Sequence, residues 1–487
     1  MPTAHMDRLT ALDASFLAQE RKSSHMHVGA VLLFEGPPPH RAEFTEQVES
    51  RLHLVPRYRQ KLAFPPLELG RPLWIDDPRF NIEYHVRHTA LPSPGSLDQL
   101  RQLAGRIFSQ RLDREKPLWE IWLAQGLTEN RWALITKTHH AMIDGVAGVD
   151  LASVLFDLDP VPQPPSEPAE QWAPHPEPSS ADLAAEGIKG LVKRPFSLAG
   201  RAIGAATKPA ETAREVLEAA EAVGEVAWAG LNPAPETPLN VDIGPHRRVW
   251  WVESQLSDFK EVKNTLGGTV NDVVLAVVTG ALRRWLRQRG VRTEGLELRA
   301  LVPVSIRSEA ERGDLGNRIA AMRGPLPVYC EDAVQCLEIV SEAMANLKES
   351  KQALGAEVIA GLQDFAPPTL LAQASRLNFS TRLFNMIVTN VPGPQFPLYM
   401  LGRELQDLIP IAFLPEGHAL AIAIMSYNGK ITFGLLADYD AMPDLDDFAM
   451  YLEDSLGELL DASARAKRRK QDAAEPKPDA AKAPSSS

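Results

Sequence analysis

Hydrophobic positions along the chain follow two periods. Val28–Phe34 is an apolar, β-branched run that predicts a buried strand. Trp132, Leu134, Thr136 and Thr138 alternate with Ala133, Ile135 and Lys137, again the period of a strand. Leu420, Ile422 and Ile424 alternate, Asn428-Gly429 offers a tight turn, and Ile431, Phe433 and Leu435 alternate, which together predict a β-hairpin. The helical period appears at Val270, Val273, Val274, Val277, Val278 and Leu282, behind Thr269 and Asn271, either of which suits a helix cap. Strand and helix patterns recur in both halves, so the predicted fold class is α/β.

Proline sets the boundaries. From Pro160 to Pro178 eight of nineteen residues are proline, which reads as extended linker. An alanine-rich, helix-favouring stretch follows, then Pro233, Pro235 and Pro238. The expected organisation is a first half over 1–159, a proline-rich and helical crossover over 160–239, a second half over 240–463 and a tail over 464–487. The tail is small, charged and proline-containing, and disorder is expected there.

Composition narrows the partners. The 487 residues carry a net charge of −12, which speaks against nucleic acid. One segment opposes that trend. Between Gly187 and Ala210 stand Lys189, Lys193, Arg194, Arg201 and Lys208 with no acidic residue, interleaved with Leu191, Val192, Phe196, Leu198 and Ile203. Basic residues beside apolar ones suit docking at an anionic lipid surface, and equally a solvated linker helix that its charges keep soluble. The apolar stretches Val273–Leu282 and Ala419–Tyr427 are too short to span a bilayer, which needs about 20 residues. Met1 to Arg8 lacks an apolar signal core, and Cys330 and Cys336 make no disulfide framework. The expected location is cytoplasmic, and any membrane contact is expected to be peripheral.

The sharpest chemistry is His139-His140-Ala141-Met142-Ile143-Asp144-Gly145, directly after the strand at Trp132–Thr138. A strand end fixes an imidazole rigidly, and an imidazole can take a proton from an alcohol near neutrality. Gly145 lets the backbone turn sharply. His25 with His27, and His85 with His88, have ligand-like spacing, but no third ligand accompanies either pair, so no metal is expected. Gly-x-Ser-x-Gly, Walker and dinucleotide fingerprints are absent from the sequence.

His-His-x-x-x-Asp-Gly is the signature of chloramphenicol-acetyltransferase-like acyltransferases and of condensation domains. Together with Leu12-Asp13-Ala14-Ser15-Phe16-Leu17, Pro117-Leu118-Trp119, Asn271-Asp272 and Asn390-Val391-Pro392-Gly393-Pro394, it resembles the bacterial wax ester synthase/diacylglycerol acyltransferase family from about Leu9 to Gly457. The resemblance implies two chloramphenicol-acetyltransferase-like halves with mixed sheets and an active site between them. It implies transfer of an acyl group from acyl-CoA to diacylglycerol or a long-chain alcohol, with no cofactor, acyl-CoA being a substrate. By motif match His140 is the base, His139 shapes the site, and Asp144 holds the loop by pairing with an arginine, for which Arg57 is the candidate. Asn271 and Asp272 would help form the site, and Pro117, Leu118 and Trp119 would line the acyl path. The competing expectations are an amide-forming condensation enzyme and a catalytically inactive lipid-binding protein.

Overall fold

The computed structural model describes residues 6–68, 70–142, 155–162, 172–189, 232–305, 319–349 and 380–474. Asp144, Gly145 and the crossover residues Lys193, Arg194, Arg201 and Lys208 lie outside the described residues.

The first half supplies β1 (His27–Glu35), β2 (Val86–Ala90), β3 (Trp119–Leu127) and β4 (Arg131–His139). The second supplies β5 (Arg247–Gln255), β6 (Leu298–Ser305), β7 (Ile319–Leu326), β8 (Met386–Pro392), β9 (Tyr399–Met400), β10 (Arg403–Ile411), β11 (Leu420–Tyr427) and β12 (Lys430–Asp438). They form two six-stranded sheets, ordered β9-β10-β1-β4-β3-β2 and β7-β6-β8-β11-β12-β5. Both are mixed: β2 runs parallel to β3, and β8 runs parallel to β6 and β11. The predicted hairpin is β11–β12, with Tyr427 opposite Lys430 and positive φ at Asn428 and Gly429, the conformation a two-residue turn of this hand requires.

The helices used below are α1 (Ala11–Gln19), α2 (Leu97–Phe108), α3 (Leu256–Leu266), α4 (Val270–Gln288), α5 (Ala333–Glu349) and α6 (Leu445–Ala474). Thr269, not Asn271, caps α4. Its Oγ1 accepts the Asp272 N–H at 3.2 Å, and Asp272 Oδ2 accepts the Thr269 N–H at 2.8 Å. Val273, Val274, Val277, Val278 and Leu282 are then at most 1 % exposed, because α4 is the centre of the second half's core.

Two expectations need correction. The halves do not divide at a clean boundary, because β9 and β10 belong by sequence to the second half and by hydrogen bonding to the first sheet, with Ile411 opposite Gly29. The tail is not disordered from 464. α6 continues through Ala474, Ser463 is fully buried, and Lys467 pairs with Glu261 at 2.9 Å. Residues 464–474 are Ala, Arg, Lys and Gln with one Asp, and such residues also propagate a helix once the core has started it.

The sheets meet where β10 crosses β12. A Cβ on Gly434 would lie 1.7 Å from the Pro410 carbonyl oxygen, so only glycine permits this approach. On the other side α2 crosses β5: Ser109 Oγ accepts the Arg247 N–H at 2.9 Å, and the Arg101 guanidinium lies 3.8 Å from the Trp250 ring centre. Gly434→Ala is expected to cost about 1–3 kcal/mol, as overpacking does. Gly457→Ala, in α6 with open space around its Cβ position, is expected to gain about 0.5–1 kcal/mol. Denaturant midpoints for the two variants should move in opposite directions.

Candidate active site

β4 lies between β1 and β3, and its last rungs reach past the regular strand. The His139 N–H donates to the Leu118 carbonyl at 2.9 Å, and the His140 N–H donates to the Met26 carbonyl at 2.7 Å. The chain then enters a single 3-10 turn, His140–Met142. Below the site, buried Lys137 donates from Nζ to the Ile107 and Gln110 carbonyls at 3.0 and 3.1 Å, tying β4 to the end of α2.

Successive strand residues point to opposite faces, so the two imidazoles part company. His139 is 1 % exposed. Its Nδ1 accepts the Ala141 N–H at 3.0 Å, and its Nε2 lies 3.8 Å from Glu20 Oε2. Burial pushes its pKa down to about 3, against the pull of Glu20. An Nδ1 that accepts leaves the proton of the neutral ring on Nε2.

His140 is partly exposed and sits in an aromatic slot. Phe16 of α1 stacks on it with ring centres 4.0 Å apart and an interplanar angle of 24°. Phe413, just beyond β10, meets it edge-on at 5.4 Å and 87°. Its Nδ1 is buried with no hydrogen-bond partner among the described residues, leaving Nε2 as the nitrogen toward the open side. Burial lowers the pKa of the ring to about 4. The ring is therefore unprotonated at neutral pH and competent to take a proton. The same desolvation makes it a weaker base, so rate must come largely from positioning.

A family model described as the wax ester synthase/diacylglycerol acyltransferase catalytic domain matches residues 9–274, and one described as the WS/DGAT C-terminal domain matches 315–460. The chain belongs to this family. Among curated relatives, a protein of Mycobacterium tuberculosis named probable diacylglycerol O-acyltransferase is 34% identical over 473 residues, 95% of this chain and 97% of the relative. A second protein of that organism with the same description is 34% identical over 463 residues, 94% of this chain and 99% of the relative. The solved wax ester synthase/diacylglycerol acyltransferase of Marinobacter aquaeolei superposes with a TM-score of 0.68 at 26% identity, covering 94% of this chain and all of that one. The starter condensation domain of rhizomide synthetase, at 13% identity, TM-score 0.57 and 95% of each chain, shares the fold.

The remaining blocks of this wax ester synthase/diacylglycerol acyltransferase chain take definite places. Pro117, Leu118 and Trp119 are all buried, and they brace the site rather than open onto it. Leu118 holds the His139 amide, while Trp119 stacks on His85 at 4.6 Å and donates Nε1–H to the Tyr58 carbonyl at 2.8 Å. Leu118 and Trp119 are 0 and 1 % exposed, which favours core packing, the alternative to lining the acyl path. Asn271 Oδ1 accepts from Asn390 Nδ2 at 3.3 Å, joining the start of α4 to β8. Asp272 is buried and bound in its cap. Arg57 donates to Gln60 Oε1 at 2.9 Å and to Asp7 Oδ2 at 3.4 Å. Its expected partner Asp144, with Gly145, lies outside the described residues.

The other histidines separate. His85 joins Trp119, and His88 faces Phe44. His27 lies opposite His139 in the sheet, with His25 beside it. Among the described residues no three His, Cys, Asp or Glu side chains converge as metal ligands. Phe413, Glu20, Arg111 and Arg114 carry no motif of their own. Phe16 lies inside the Leu12–Leu17 block and so had a signal.

Burial fixes the acid limb of the pH profile. Protonation silences a base, so kcat/KM should hold level from neutrality to about pH 5 and fall as pH approaches 4, the His140 value. A limb centred at 6.5 would show a solvated ring. Stability has the same sign. His139 and His140 titrate lower in the folded chain than in the unfolded one, so their contribution is complete above 6.5 and is lost as pH falls, through about 4 for His140 and about 3 for His139.

Proposed function

We infer that the chain is an acyl-CoA-dependent O-acyltransferase that makes triacylglycerol from diacylglycerol and wax esters from long-chain alcohols. The observation that carries this reading is the His140 ring, held against Phe16 and Phe413 at a strand end in a chain of this family. The acceptor hydroxyl gives its proton to His140 Nε2 as its oxygen bonds to the thioester carbonyl carbon. The tetrahedral intermediate collapses, the C–S bond breaks, and the coenzyme A sulfur takes the proton from His140. Acyl-CoA brings the activated acyl group itself, so the scheme calls for no cofactor. Phe16 and Phe413 cover part of the imidazole and leave one edge open to the acceptor hydroxyl.

In this reading His139 and the Asn271–Asn390 contact shape the site, and Asp144, with Gly145 at the turn, holds the loop against an arginine, Arg57 being the candidate. Diacylglycerol is the favoured acceptor, within a broad range. Acceptor and product are lipids, which supports peripheral contact with membrane or lipid droplet through the basic crossover. No single described helix is long and apolar enough to cross a membrane, and the bent pair α3–α4 that reaches the length is packed in the second core.

Thiol release from palmitoyl-CoA with dioleoylglycerol or hexadecanol, separately and in competition, tests the reading. His140→Ala should lose about 10²–10⁴-fold in kcat, the usual worth of a positioned base. His139→Ala should retain more activity. Wild-type turnover in the His140 variant would remove the base assignment, and preference for an amine acceptor would replace ester formation with amide formation.

A further inference from the structure

Glu20 closes α1, and its backbone N–H bonds back to the Phe16 carbonyl at 3.2 Å. The same helix end thus carries Phe16, which stacks on His140, and Glu20, which faces His139 on the other side of β4. The Glu20 side chain is 1 % exposed. A buried carboxylate is costly unless paired, and this one is clamped. Arg111 Nε donates to Oε1 at 3.0 Å and Arg114 Nε to Oε2 at 2.8 Å, while Arg114 Nη2 also reaches the Leu17 carbonyl at 2.9 Å. Burial pushes the Glu20 carboxyl up, but the Arg111 bond and the Arg114 charge overcome it and hold the group below its usual range.

We propose that Glu20 is a positioning residue for acyl transfer: its carboxylate, fixed by Arg111 and Arg114, selects the His139 tautomer with the proton on Nε2, so that Nδ1 accepts the Ala141 N–H and holds the turn that aims His140. The opposite tautomer would set Nδ1–H against the Ala141 N–H, two donors facing each other, and would release the turn. The negative charge 3.8 Å from Nε2 favours a proton there. Glu20 touches no reacting atom; it acts through His139 on His140. The idea rests on His140 being the base.

The test is a double-mutant cycle on the full-length protein, read by thiol release with palmitoyl-CoA and dioleoylglycerol. In His139→Asn the side-chain carbonyl accepts the Ala141 amide with no tautomer to choose. Glu20→Gln alone should lower kcat on the order of 10–100-fold, as misplacement of a catalytic group does, with KM for palmitoyl-CoA within about twofold. In the His139→Asn background Glu20→Gln should change kcat by less than about twofold, because the selected tautomer is gone. Glu20→Asp keeps a carboxylate for the arginines but moves it from the ring, so it should melt closer to wild type than Glu20→Gln and still lose kcat. It carries the test should Glu20→Gln fold poorly. Multiplying losses in the double variant, or unchanged kcat in a folded Glu20→Asp, would overturn the proposal. His140→Ala with wild-type turnover would instead fail the base assignment, whatever Glu20 does.

Discussion

The site depends on two backbone hydrogen bonds, from His139 N–H to Leu118 and from His140 N–H to Met26. They extend the grip of both neighbouring strands one residue beyond the regular ladder. Held there, consecutive side chains must face opposite ways, which explains why two adjacent histidines have two environments. One ring is sealed against a clamped carboxylate. The other is pressed between two phenyl rings with one edge open. Had the chain slipped by one residue, the two roles would exchange faces and neither environment would fit.

The slot around His140 also explains why the fold needs both halves in register. Phe16 comes from the first helix and Phe413 from the segment after β10, so the base is bounded by residues from both ends of the chain. β10 reaches that place because it pairs with β1, and the glycine at 434 lets β12 approach it closely. The capped start of α4 and its Asn271–Asn390 contact hold β8 from the other side. Desolvation then follows from packing and sets the protonation state of the base.

Local signals were legible in the sequence. The β11–β12 hairpin could be read from alternation and Asn428-Gly429, because a turn depends on its own residues. The core helix α4 could be read from its period, and the histidine motif from its position after an alternating strand. What could not be read is long-range. Glu20 reaches His139 across more than a hundred residues, and nothing near Glu20 announces it. β10 pairs with β1 from the far end of the chain, so a boundary drawn from proline clusters cut through a shared sheet. Pro117-Leu118-Trp119 was visible as a block whose reading, acyl path or core packing, the sequence left open. Its work is to hold a neighbouring amide and fill core, and a motif does not say which way its side chains face. The basic residues at 464–474 were also ambiguous, since the composition of a solvated tail is equally that of a helix extension.

The pairing of β10 with β1 has a consequence for biosynthesis. β1 emerges from the ribosome early, with Val31, Leu32, Leu33 and Phe34 in one run, and one of its edges belongs to a strand that begins at Arg403. While the chain between them is being made, that edge is an unpaired row of amides and carbonyls beside apolar side chains, the kind of surface that recruits other strands. A fragment ending at the proline-rich linker would keep this open edge permanently and would lack Phe413. A first half made alone therefore exposes a strand edge that the full chain covers.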